Sequence, residues 1–268
     1  MQRLEGKIKA TFGGWRQQHK HKTHQKPWSL FKTAIRDYRA NWQVMLGATL
    51  IVALPVAILS NYGVDASGDT SSSAYLAFIQ LAMNVAVVYI VTKVVAGKTV
   101  TIRQAYYEGS AMLVRLVLVS LLLVVMLLPL VLALVIISAG VLAPGAVLNG
   151  GEQILLIVLA LLIAIPSLVL LTRGLWALYV IFEGPAGPIQ AVAQSRRITK
   201  GKVMMAMGRL VALLGFLIAI LLVPGAVLIL LGSLTHWTLW AIILQVLITL
   251  TVLPLANFYL YRYYRELV

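Results

Sequence analysis

The chain has no cysteine, only eight acidic residues, and just 11% charged residues in all. The missing cysteine removes disulfides, iron–sulfur clusters, thiolate zinc sites and cysteine nucleophiles together, and leaves the compartment open. Hydrophobic side chains make up 61% of the 268 residues, more than one soluble core of that length could hide. A soluble enzyme is excluded on that ground, and a membrane protein is expected. The net charge of +14 must then crowd onto the few segments outside the bilayer.

A helix rising about 1.5 Å per residue needs about 20 apolar residues to cross a hydrocarbon layer of roughly 30 Å. Six stretches qualify: Asn41 to Ser60, Ser73 to Ala96, Ala111 to Ser138, Gln153 to Phe182, Val203 to Leu231 and Thr238 to Tyr261. A transmembrane barrel does not fit, because a run such as Leu121 to Ile137 shows no alternation of polar and apolar residues. The third, fourth and fifth stretches exceed what the bilayer needs, so they are expected to tilt, kink or begin in the headgroup region. Residues 1–27 are basic, rich in Gln, Lys and His, and read as a disordered cytoplasmic tail, leaving 28–268 as the transmembrane domain.

The basic residues are distributed by side. Ten lie between Met1 and Ala40, and Lys93, Lys98, Arg103 and Arg115 flank the second link. Arg196, Arg197, Lys200, Lys202 and Arg209 mark the fourth link, and Arg262 and Arg265 the C-terminal end. The first, third and fifth links carry none. Because Lys and Arg resist translocation, this alternation puts both termini in the cytoplasm and the protein in the cytoplasmic membrane. Trp28, Trp42, Tyr106, Tyr107, Trp237, Trp240, Tyr259, Tyr261, Tyr263 and Tyr264 stand at the span ends and read as interfacial anchors.

Cutting the chain at its basic links gives three similar units. Each opens on a polar, partly basic segment (SLFKTAIRDYRANW, TIRQAYYEGSAML, PIQAVAQSRRITKGKV) and then crosses, turns and returns. The expected fold is therefore an all-α membrane protein of six transmembrane helices, arranged as three helical hairpins with amphipathic lead-in helices on the cytoplasmic side. Prolines at Pro55, Pro129, Pro166, Pro224 and Pro254 fall within five of the spans.

No acidic residue lies well inside a span, so the carboxylates that carry protons or bind sodium in coupled transporters are missing. Neutral polar residues such as Gln80, Asn84, Ser120, Ser167, Thr172, Gln245, Thr249 and Asn257 read as helix-to-helix hydrogen-bonding groups. Arg173 stands apart. It sits about ten residues before Glu183 at the span's end, so its guanidinium must snorkel, find a partner or meet an anionic ligand. His19, His21 and His24 form a tail cluster, but Lys20 and Lys22 between them repel a cation and no metal site or cofactor is expected. No nucleophile elbow, phosphate-binding glycine loop or HExxH pattern is present, and no catalytic residue is assigned.

The fourth link reads WALYVIFEGPAGPIQAVAQSRRITKG after Arg173, placing Glu183, Ala191, Ser195, Lys200 and Gly201 in order. This resembles the membrane domain attached to some glycerophosphodiester phosphodiesterases and the related YciC-like bacterial membrane proteins. The openings SLFKTAIRDYRANWQVMLGATLIVALP and GKTVTIRQAYYEG are similar to that family too, so the likeness runs over roughly residues 28 to 265. It implies a six-helix membrane domain without chemistry of its own. The family's catalytic barrel, with its metal-binding carboxylates and histidines, has no counterpart in the chain, so phosphodiesterase activity is not carried over. Ala191 and Ser195, at i and i+4, suit close packing, and Gly201 suits a helix end.

The expected function is non-enzymatic. Arg173, Glu183, Ser195, Arg196, Arg197, Lys200, Gly201 and Lys202 form the candidate contact surface for anionic phospholipid, a protein partner or a second copy. The layout favours lipid over nucleic acid. A permease or channel for a small molecule or lipid is the alternative, and a lipid-directed enzyme using Glu183 and Arg173 a third.

Overall fold

The computed structural model describes residues 25–62, 70–140, 150–184, 186–234 and 237–268. The tail histidines, Asp65, Asp69, the third link from 141 to 149 and His236 lie outside the described residues. Among the described residues every regular element is a helix: α1 (Pro27–Ala40), α2 (Trp42–Tyr62), α3 (Thr70–Val95), α4 (Ile102–Gly140), α5 (Gly150–Gly174), α6 (Ala177–Glu183), α7 (Pro188–Ile198), α8 (Val203–Leu234) and α9 (Trp237–Leu267). Among the described residues, six helical stretches are long and apolar enough to cross a membrane, as the sequence predicts.

Local chemistry sets the helix ends. Pro27 opens α1, where its fixed φ suits a helix start and its missing N–H costs nothing. The helix buries Leu30, Phe31 and Ala34 and turns Lys32, Arg36 and Arg39 outward. Asn41 closes it, donating from its backbone N–H to the Tyr38 carbonyl at 3.1 Å and from its amide to the Asp37 carbonyl at 3.0 Å. Gly97 ends α3 at φ 76°, where the Lys98 N–H reaches back to the Lys93 carbonyl at 3.0 Å. Thr101 and Gln104 then cap α4 reciprocally, at 3.3 and 3.4 Å.

The second lead-in segment is not a separate helix. It runs straight into α4, which reaches 39 residues, whereas α1 and α7 stand apart from the spans they precede. The fourth span, continuous by hydropathy, is broken at Leu175 and Trp176 into α5 and α6. All five prolines are accommodated inside helices.

Neighbouring spans pack on one another, α2 on α3, α3 on α4, α4 on α5 and α8 on α9. Helix α9 touches α1, α2, α3 and α8, and the α4–α5 pair joins the bundle through the packing of α4 on α3. Glycines let two backbones close up: a side chain at Gly109 would press Val85 at 3.3 Å, and one at Gly174 would strike Leu123 at 2.6 Å and Met126 at 3.2 Å. The largest fully buried side chains include Trp176, Tyr179, Phe258, Tyr259, Tyr263 and Tyr264, all from α9 or the start of α6. Tyr259, Tyr261, Tyr263 and Tyr264 of α9 are thus core, correcting their reading as interfacial anchors. Trp28 and Tyr107 are exposed, at 53% and 81%.

Candidate functional site

The site begins where α5 stops. Breaking a helix frees carbonyls that would have accepted from the next turn, and each needs a donor if it is to be buried. The Leu171 carbonyl receives the Leu175 N–H at 2.9 Å, and the Trp176 carbonyl receives Tyr179 and Val180, each at 3.1 Å. The Arg173 carbonyl is served from another helix, by the Ser195 hydroxyl. Ser195 and Ala191 are both fully buried, with Val192 beside them, so one face of α7 is pressed against the broken span. The Thr199 hydroxyl donates to the Ser195 carbonyl at 3.0 Å, and Gly201, at φ 78°, turns the chain into α8.

On the other side of α7, Arg196, Arg197 and Lys200 are exposed, as is Gly201, and Lys202 is half-buried. Arg173 itself is half-buried, and its Nε is enclosed without a hydrogen-bond partner. Among the described residues, the carboxylates of Glu183, Asp37, Glu266 and Glu108 are engaged elsewhere. Glu183 accepts from the Tyr261 hydroxyl at 2.8 Å, the Tyr264 hydroxyl at 3.0 Å and Arg265 at 3.2 Å. Asp37 pairs with Arg262 at 2.7 Å, Glu266 with Arg209 at 2.6 Å, and Glu108 accepts from the Tyr89 hydroxyl. Thus Ser195 and Arg173 are brought together, while Glu183 is drawn to α9 and staples α6 there.

A second centre was not visible in the sequence. Arg209, counted there among the basic residues of the link, is only 5% exposed. Its guanidinium pairs with Glu266, donates to the Gln25 carbonyl at 2.8 Å and lies over the Tyr263 ring at 4.2 Å. The only signal for it was an arginine seven positions into an apolar run, since its partner lies 57 residues away. Other polar side chains bind helices together: Ser167 donates to the Met126 carbonyl at 2.7 Å and Tyr179 to Asn257 at 3.1 Å. Tyr106 reaches the Ala48 carbonyl at 2.6 Å. On α1, Tyr38 donates to the Leu250 carbonyl at 3.0 Å, and burial raises its pKa, keeping the phenol neutral.

Comparison with protein-family models, with curated proteins and with solved structures finds no match.

Proposed function

We propose that the chain is a non-enzymatic, multi-pass protein of the cytoplasmic membrane, of the glycerophosphodiester-phosphodiesterase membrane-domain type. In this reading both termini face the cytoplasm and the basic end holds anionic phospholipid. The observation that carries it is the Arg173 guanidinium, half-buried and without a carboxylate partner among the described residues, beside a helix whose outer face bears Arg196 and Arg197. An uncompensated guanidinium at that depth is costly, and a lipid phosphate offers two oxygens that the planar guanidinium fork can bind together. Arg196, Arg197, Lys200 and Lys202 would then add attraction of about 1 kcal/mol each toward an anionic surface. Ser195 and Gly201 shape the link, and Glu183 secures α6.

The test is native mass spectrometry of the protein released from its own membrane. Anionic phospholipid should co-purify in fixed stoichiometry and fall at least fivefold with Arg173→Leu. Neutralising Arg196, Arg197, Lys200 and Lys202 should reduce it further. Equal lipid retention in wild type and both variants would overturn the proposal, and a co-purifying protein lost from the variants would transfer the site to a protein partner.

A further inference from the structure

Three buried polar atoms at the basic end of the bundle have no partner among the described residues and belong to side chains in one contact chain. They are the indole Nε1 of Trp176, the hydroxyl of Tyr263 and Oε1 of Glu266. The Trp176 and Tyr263 rings meet edge to face at 5.2 Å. Arg209 lies over the other partner of that pair, Tyr263, at 4.2 Å, and binds the second oxygen of Glu266 at 2.6 Å. Tyr263 and Glu266 are also three residues apart on α9, so they share a face.

Native interiors rarely leave buried donors and acceptors unsatisfied, and groups that find no protein partner are usually bridged by water. The complement here is specific. Trp176 offers only a donor, Glu266 only an acceptor, and Tyr263 either. Trp176 and Tyr263 are fully buried, which restricts any bridging species to a very small one.

We propose a buried hydration site joining α6 to α9. One water molecule accepts the Trp176 N–H and the Tyr263 O–H, and donates to Oε1 of Glu266. Three partners satisfy the usual valence of an internal water. The site holds the start of α6 against the α8–α9 pair through an exchangeable molecule rather than through a direct side-chain bond. It stands independently of the lipid reading, which rests on Arg173.

Radiolytic hydroxyl footprinting of the full chain in lipid nanodiscs tests it, because buried side chains are labelled only where a bound water is the radical source. After correction for intrinsic reactivity, Trp176 should be modified at least three times faster than Tyr179, which is equally enclosed but bonded to Asn257. A smaller ratio would overturn the proposal and indicate that the indole N–H rests on the Tyr263 ring. Tyr263→Phe removes one water partner and should lower Trp176 labelling at least twofold. Unchanged labelling in that variant would likewise overturn the assignment, and the wild-type ratio decides the matter without any variant.

Discussion

Helices α3 and α4 pack side by side, yet half of the most apolar stretch of α3 is buried within the protein against about a tenth of that of α4. The buried helix is the less apolar one. It carries Gln80, Asn84, Tyr89 and Thr92, whereas α4 runs LLLVVMLLPLVLALVII with most of its leucines and valines exposed. The same holds for α5 and α8, of which about a tenth or less is buried. In water the most hydrophobic segment seeks the core. In a bilayer the surroundings are already apolar, so extreme hydropathy marks the lipid face, and the protein-facing helix is free to use small and polar residues. Hydropathy therefore locates these helices and, read inversely, separates the two most buried, α2 and α3, from the others.

Five substitutions test that contrast. The largest effect is expected at the packed end, where Arg209→Leu leaves Glu266 buried without its cation. A loss of about 3–5 kcal/mol follows from breaking such a pair, read as a collapse of the thermal transition in detergent. The sharpest comparison uses two glycines. Gly109→Ile thrusts a branched side chain into Val85 and Ala86 and should cost about 1–3 kcal/mol through overpacking. Gly215→Ile meets open space on α8 and should be neutral or stabilise by up to about 1 kcal/mol through helix propensity. Equal melting shifts for the two would erase the distinction between packed and lipid-facing helices.

Ser195→Ala removes the donor for the Arg173 carbonyl and should cost about 1–3 kcal/mol, the penalty of a buried acceptor left unsatisfied. If the melting temperature stays within error of wild type, α7 is not held by that bond. The smallest change is Tyr38→Phe, worth about 1 kcal/mol for one hydrogen bond. Its pH signature follows from the raised pKa of Tyr38. The stabilisation is complete below the ordinary value of 10.0 and is lost as pH rises through the higher folded value, so alkaline titration should narrow the gap between wild type and variant.

The six spans were legible because a long apolar run has few other readings. The break after Gly174 was not, since LLTRGLWALYVIF is apolar on both sides and nothing in its hydropathy separates α5 from α6. Small residues in the fourth link foretold the packing of Ala191 and Ser195, but not that the partner would be a carbonyl released by that break. Tyr259, Tyr261, Tyr263 and Tyr264 were misread for a related reason. Aromatics at a span end serve equally as interfacial anchors or as core, and only their contacts with Trp176, Tyr179 and Glu183 distinguish the two. Arg209 and Glu266 were hidden by distance along the chain.

The last turns of α9 supply Arg262 to Asp37, Glu266 to Arg209, and Tyr261, Tyr264 and Arg265 to Glu183. During synthesis α9 emerges after every helix it secures, so α1, α6 and α8 must wait in the membrane with those charges unmatched. A chain halted before Tyr261 would leave Asp37, Glu183 and Arg209 without the partners that α9 brings, and pulse-chase in cells should show it cleared faster than the chain carrying all of α9.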